Sequence, residues 1–499
     1  MTETNDDANN TRLIELKKFF IFNSKYGSTE GEEKNKIMFY HPAESELDTK
    51  IKDVGLCEAI VKFTNTFTAD ESIYCMRTQK TLQLFFKPED EFWMIMIVNA
   101  PSERKTRLSE GQTVASEYTE YRCEDAHEIV YREVLKQSYN MFRLFNGTFG
   151  DNLVGENDIQ QVDSLIAKLT KFYEKYVTTL KSRNCDILDV FRSIQYMPLN
   201  KFQFLRVHNF IQMIESTFVA INHCIFLFNE QLVWSGINPS DLYSIYEYLT
   251  GLLFPKSSAD DVRGGSLTRN YSNVLDTQYG AYLAGPTNQS DNCKKPPTVY
   301  ICNNGECQAY KMIVYNALSG TLCMFVKDKN ALTNEFYEEL HSFIGPQLTN
   351  IASEIAENLT KETVTGKSLL CTSSLSSSST SIANSNSDES TQTTKYLFFN
   401  ELNCQHNGTI HLNQKLYKKK RSIPREIMNL LNDLYVQDAN TSSSCEIIVK
   451  TLSDYWIVKR STNFRHSFVI FNKNATLLDI AEEANKIFDT HLNDVFSHV

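Results

Sequence analysis

Three times along this chain, short runs of aromatic and β-branched residues precede a stretch with apolar residues at helical spacing. That repeated order constrains the fold more than any other feature of the sequence. Residues 19–23 and 37–41 read as two strands separated by a Gly- and Glu-rich loop. Leu56, Ile60, Phe63 and Phe67 then recur at i, i+4, i+7 and i+11, which predicts a helix that lays this stripe on the sheet. Residues 82–86, a turn at 88–91 and the run 92–98 predict a β-hairpin with a nearly continuous apolar second strand. Val130, Val134, Met141, Phe142 and Phe145 mark one closing helix, and a stripe from Val162 through Leu169 and Tyr173 to Leu180 marks another.

The order returns with runs at 224–228 and 232–234 around a turn at Asn229-Glu230, and a helix opened by Pro239-Ser-Asp that carries Leu242, Ile245, Tyr246 and Leu249. A polar loop from about 256 to 297 precedes runs at 299–302, 312–315 and 323–326, then a long helix carrying Leu340, Ile344, Leu348, Ile351 and Ile355. Across 360–394 the composition collapses to Ser, Thr and Asn, leaving little apolar surface to offset ordering, so a flexible tether is expected. Beyond it come runs at 396–399 and 409–412, a helix at about 424–434, three runs at 447–449, 455–458 and 468–471, and a final helix with Leu477, Leu478, Ala484, Ile487 and Phe488. The expected fold class is α/β (α+β): three α/β/α domains at 14–182, 183–359 and 395–499, each a mostly antiparallel sheet flanked by helices, after a disordered tail at 1–13.

With 499 residues, 41% apolar and 12% aromatic, the chain can order several small cores. A net charge of −11 argues against a nucleic-acid binder, which would show a basic excess on one face. No apolar run reaches the roughly 18–20 residues a spanning helix needs, and no signal peptide is read. The twelve cysteines show no CxxC pairing; even the closest two, Cys302 and Cys307, lack a second pair for zinc, so reduced structural thiols are expected.

Chemistry-bearing motifs are sparse. Gly366-Lys-Ser368 ends like a phosphate-binding loop, but its first glycine would fall at Lys361 and a Ser-rich stretch follows where a helix belongs. HExxH, GxSxG and strand-linked GxGxxG spacings are missing. His208 and His223 are the nearest candidates for a site, yet they lack partners at fixed spacing, and the acidic stretches 30–33 and 88–91 lack the alternating ligands of a calcium loop. No catalytic residue, metal or cofactor is expected. Lys415, Lys418, Lys419, Lys420 and Arg421 form a basic run in an acidic chain. Each can gain about 1 kcal/mol beside an anionic leaflet, and an exposed loop before a helix is the competing reading.

Longer strings go beyond generic pattern: Phe19-Phe-Ile-Phe-Asn23, Asn35-Lys-Ile-Met-Phe-Tyr-His-Pro42, Val54-Gly-Leu-Cys-Glu-Ala-Ile-Val61, Phe92-Trp-Met-Ile-Met-Ile-Val98, Leu144-Phe-Asn-Gly-Thr-Phe149, Leu232-Val-Trp-Ser-Gly236, Gly345-Pro-Gln-Leu348 and Ser453-Asp-Tyr-Trp-Ile-Val458. In this order they resemble the Ccz subunit of the Mon–Ccz complex, the vacuolar fusion protein family. The resemblance implies three longin domains and an obligate heterodimer with Mon, joined in animals by a third scaffold subunit. It implies a guanine nucleotide exchange factor without covalent chemistry, acting on the late-endosomal Rab GTPase in endosome maturation and autophagosome–lysosome fusion. A longin-type scaffold or adaptor that never touches the GTPase is the alternative. The implied location is cytoplasmic, with recruitment to endosome, lysosome or vacuole and autophagosome membranes by the active early-endosomal Rab and phosphatidylinositol 3-phosphate. By position, the surface shared by Mon and the GTPase maps to Val54, Cys57, Glu58, Val61, Lys62, Asn65, Lys80 and Trp93. For the apolar ones a place in the core is the competing reading.

Overall fold

The computed structural model describes residues 11–12, 14–27, 29–67, 73–100, 102–107, 116–121, 127–153, 158–181, 185, 187–197, 199–254, 279–286, 295–303, 306–327, 332–364, 395–402, 404–408, 423–439, 444–462, 464–472 and 476–488. The first 190 residues form one compact unit and the remainder another.

The first unit contains β1 (Thr11–Arg12), β2 (Leu16–Asn23), β3 (Ile37–His41), α1 (Leu47–Thr64), β4 (Cys75–Arg77), β5 (Thr81–Glu89), β6 (Phe92–Asn99), β7 (Ser102–Arg107), β8 (Ser116–Tyr121), α2 (Glu128–Asn146) and α3 (Asp158–Lys181). Its antiparallel sheet runs β3-β2-β6-β5-β4, and β1, β7 and β8 form a separate small ladder. Strand β2 is apolar from Phe19 through Phe22 and β6 from Phe92 through Val98, because helices cover both faces. Phe19 and Ile21 pack with Phe142 of α2 and Tyr173 of α3, while Phe20 and Phe22 pack beneath α1. The β5–β6 turn is tighter than the sequence suggested: Pro88 and Glu89 stay in the strand, and Glu91 takes a left-handed φ of 63°. Glu89 is retained there because its carboxylate accepts from the Tyr139 hydroxyl and from the Phe149 and Gly150 amides, each at 2.6 Å.

The second unit begins at Phe191, the last residue of α4 (Ile187–Phe191). It continues with β9 (Ile194–Gln195), α5 (Lys201–Thr217), β10 (Ile221–Phe228), β11 (Gln231–Ser235), α6 (Pro239–Tyr248), β12 (Ala281–Ala284), β13 (Thr298–Asn303), β14 (Glu306–Ala317), β15 (Gly320–Val326) and α7 (Asn334–Val364). After these come β16 (Lys395–Asn400), β17 (Gln405–Gly408), α8 (Arg425–Ala439), β18 (Cys445–Lys450), β19 (Tyr455–Thr462), β20 (Arg465–Asn472) and α9 (Leu477–Ile487). Two main sheets result, β11-β10-β15-β14-β12 and β17-β16-β20-β19-β18, with β13 alongside β12 on β14. Counted from its own first strand, with β12 and β13 sharing one position beside β14, each of the three main sheets has the order 2-1-5-4-3. The three-domain plan and the antiparallel sheets flanked by helices are as the repeated element order implied.

Several expectations are corrected. Helix α5 was not read from the sequence at all. Its inward residues Val207, Phe210, Ile211 and Ile214 have helical spacing, but Phe202 and Leu205 are apolar and exposed, which blurs the stripe. In α9 the leucines Leu477 and Leu478 face solvent, and Ile480, Ala484 and Ile487 carry the packing. Cys302 and Cys307 are not free thiols: they sit directly opposite each other in the β13–β14 ladder and are joined as a disulfide. The strand expected at 409–412 and the basic run from Lys415 to Arg421 lie outside the described residues.

Strand β9 joins the two sheets of the second unit. Ile194 and Gln195 pair in parallel with Gln405 and His406 of β17, and the Ile194 amide donates to the Cys404 carbonyl at 2.8 Å. Two residues on, the Met197 amide donates to the Leu232 carbonyl on the edge strand β11 at 2.9 Å. Phe191 stacks on Phe399 of β16 with ring centroids 4.4 Å apart. Residues before α5 thus carry the contact between sheets that are more than a hundred residues apart in the chain. A protease site placed within 365–394 and then cleaved is expected to leave the two fragments eluting together on size exclusion. Adding Ile194→Pro, which removes the bond to Cys404, is expected to let them separate.

Candidate partner-binding face

Helix α1 has apolar residues on both sides, so the sheet must select one of them. The side that lies inward carries Val54, Cys57 and Val61, which pack on Phe20, Phe22, Tyr40, Phe85, Trp93, Ile95 and Ile97. On the same side sit two carboxylates. Asp53 takes Lys18 Nζ at 2.6 Å and the Tyr40 hydroxyl at 2.5 Å, and Glu58 takes Lys36 Nζ at 2.6 Å and Lys62 Nζ at 2.8 Å. Burial alone would raise the Glu58 carboxyl, but hydrogen bonds from Lys36 and Lys62 outweigh it and hold the pKa below the ordinary value. Burial pushes the Tyr40 phenol up, with Asp53 adding to the effect, and pushes the Cys57 thiol up to about 12.

The outward side is the one the sequence assigned to the core. Leu56, Phe63 and Phe67 are 55%, 65% and 72% exposed, and the rings of Phe63 and Phe67 meet edge to face at 4.9 Å. The small residues Gly55 and Ala59 are also exposed on this side. Of the predicted stripe only Ile60 packs on the sheet; Leu56, Phe63 and Phe67 face outward, because the opposite side holds the carboxylates that meet Lys18, Tyr40 and Lys36.

The sequence-derived site residues separate accordingly. Val54, Cys57, Val61 and Trp93 are core, and Glu58 is a buried anchor. Lys62 and Asn65 are exposed on and just after α1. Lys80 is exposed on the turn between β4 and β5, at the sheet edge opposite β3, with Nζ 5.5 Å from the Tyr121 ring centroid. Sequence reasoning singled out this helix but did not read Leu56, Phe63 and Phe67 as its outward residues. The signal for it was in the sequence: Asp53 and Glu58 share a helical side with Val54, Cys57 and Val61.

The face continues onto the sheet edge. Strand β3 pairs with β2 on one side only and carries no other strand among the described residues. Beside it lies a cavity of about 350 Å³, lined by Lys34, Ile37, Ala43, Leu47, Lys50 and Glu174 among others. Leu47 opens α1, so the cavity, the open edge and the helix adjoin. Among the described residues there is no group of three or more His, Cys, Asp or Glu placed to hold a metal. No described helix is long and apolar enough to cross a membrane. The arrangement therefore offers apolar area, an unpaired strand edge and flanking lysines, which is the chemistry of protein recognition.

Residues 16–147 match the family described as the first longin domain of INTU, CCZ1 and HPS4; residues 221–345 and 390–487 match Intu longin-like domains 2 and 3. A vacuolar fusion protein CCZ1 homolog of Xenopus laevis is 37% identical over 485 residues, covering 96% of this chain and 97% of the relative. A homolog of the same name from Nematostella vectensis is 36% identical over 487 residues, with coverage of 96% and 97%. One from Dictyostelium discoideum is 26% identical over 470 residues, with coverage of 93% and 94%.

Because Glu58 has a depressed pKa in the folded chain, its pairing stabilises α1 above the usual carboxylate range and is lost as pH falls through it. Glu58→Gln is expected to cost roughly 2 kcal/mol at neutral pH and to flatten the acid limb of stability below about pH 5. Urea unfolding followed across pH checks both; an unchanged acid limb would show that Glu58 does not carry it.

Proposed function

The chain belongs to the vacuolar fusion protein CCZ1 family, and from that premise we propose that it is one subunit of a guanine nucleotide exchange factor for a Rab GTPase. The names of the relatives support a role in vacuolar and endosomal trafficking. The proposal adds a second, Mon-type subunit that pairs with the first longin domain, and the late-endosomal Rab as the GTPase acted on. Recruitment would come from the active early-endosomal Rab and from phosphatidylinositol 3-phosphate, with the basic run from Lys415 to Arg421 as one source of membrane attraction.

The observation that carries this reading is the outward stripe of α1, whose inward side is tied to the sheet by half-buried ion pairs and which is left uncovered by the rest of the described chain. Exchange needs no nucleophile. A GTPase that binds nucleotide near picomolar affinity holds it with about 16 kcal/mol, so spontaneous release is slow. A partner that binds the nucleotide-free conformation better by about 4 kcal/mol speeds release roughly a thousandfold. Displacing the switch segments from the magnesium and phosphates suffices, and a rigid apolar face is a suitable lever.

Leu56→Asp combined with Phe63→Asp is expected to change stability by no more than about 0.5 kcal/mol, since both side chains are exposed. It is expected to weaken association with the Mon-type subunit or the Rab at least tenfold. Release of a fluorescent guanine nucleotide from the Rab should accelerate only when both subunits are present, and the variant should abolish it. A folded, verified complex that leaves release unchanged would move the function to a trafficking scaffold. Unimpaired assembly and exchange by the variant would remove α1 from the site.

A further inference from the structure

The second longin domain contains a covalent feature that partner binding does not use. Cys302 and Cys307 are register partners one pair from the turn of the β13–β14 hairpin, with Cα atoms 4.0 Å apart, and both are half-buried rather than enclosed. Seven other described cysteines are free thiols. Of these, Cys57, Cys224 and Cys323 are buried, and burial raises the pKa of each thiol, which makes them poor nucleophiles. Among the described residues one crosslink stands among free thiols, where two cysteines face each other and remain partly open to solvent.

The crosslink also sits at a junction. The backbone amide of Cys302 donates to Asp241 Oδ2 at 2.8 Å, and Asp241 is a 2% exposed carboxylate in the first turn of α6. Strand β13 pairs only with β14 among the described strands, so its far end depends on that ladder, the disulfide and the bond to Asp241. Val299 and Ile301 are buried beneath it. The crosslinked pair beside the turn thus includes the residue whose amide holds the first turn of α6.

We propose that Cys302 and Cys307 form a reversible thiol–disulfide couple that sets the order of the β13–β14 hairpin and, through Asp241, of the first turn of α6. A monothiol of the glutathione class supplies the electrons. One thiolate attacks a sulfur of the bridge and forms a mixed disulfide, releasing the other cysteine as a thiol. A second thiolate resolves the mixed disulfide, so that two thiols are oxidised to one small-molecule disulfide and the protein gains two electrons and two protons.

The test uses the full-length chain equilibrated in glutathione buffers of reducing and oxidising poise. Each sample is alkylated with iodoacetamide, digested and weighed, and hydrogen exchange is followed in parallel. The peptide carrying both cysteines should take two labels in reducing buffer and none in oxidising buffer. Amides of β13 and of the first turn of α6 should exchange roughly tenfold faster in the reduced sample, because a short closed loop has been opened. The double variant Cys302→Ser, Cys307→Ser should match the reduced chain in both buffers. Equal labelling in both buffers, exchange that ignores the crosslink, or a double variant whose exchange still follows the buffer would each overturn the proposal.

Discussion

A carboxylate can be buried only where it meets a cation or a hydrogen-bond donor, and on α1 both inward carboxylates meet theirs. Asp53 reaches Lys18 and Tyr40 from the sheet, and Glu58 reaches Lys36 ahead of β3. Turning α1 by half a revolution would bury Leu56, Phe63 and Phe67 at the cost of leaving Lys18, Lys36 and Tyr40 without these partners. The apolar stripe is too evenly matched between the two sides to settle the choice by itself. The ion pairs settle it, and the exposed stripe follows from them.

The same device recurs in the other domains with different residues. In the second, Asp241 in the first turn of α6 accepts the Cys302 amide. In the third, Lys459 on β19 is 0% exposed and donates to the Leu434 carbonyl on α8 at 2.5 Å, with its ammonium 5.8 Å from the Phe468 ring centroid. Each domain thus pins the helix after its second strand to its sheet through a buried charged side chain. Apolar packing supplies most of the stabilisation, and the polar contact fixes rotation and register.

What distinguishes α1 is its other side. The middle of α6, from Asp241 to Ile245, is buried throughout, and α8 buries Ile427, Met428, Leu431 and Leu434. Of these three topologically equivalent helices, α1 is the one that turns Leu56 and Phe63 outward, with Phe67 in the turn just after it. A fold repeated three times has one copy whose helix layer is incomplete by itself, and the proposed subunit partner is what would complete it.

Although it read as polar loop the segment that holds β12, the sequence by itself determined the number of domains, the main strands and helices of each, and the absence of spacings needed for hydrolytic or nucleotide-binding chemistry. These are local properties: period-2 and helical apolar patterns, turn residues and motif spacing survive without knowledge of any neighbour. It did not determine which side of α1 faces inward, the existence of α5, or the crosslink between Cys302 and Cys307. Those depend on what a residue meets across the fold. Asp53 is an anchor only because β2 brings Lys18 and β3 brings Tyr40 beneath it. Val207 and Ile211 form a core face only because α7 and β10 arrive there, and two cysteines bond only because the β13–β14 register sets them opposite each other. Tertiary structure decided these points because each is a choice between sides of equal local propensity, and only long-range pairing makes the sides unequal.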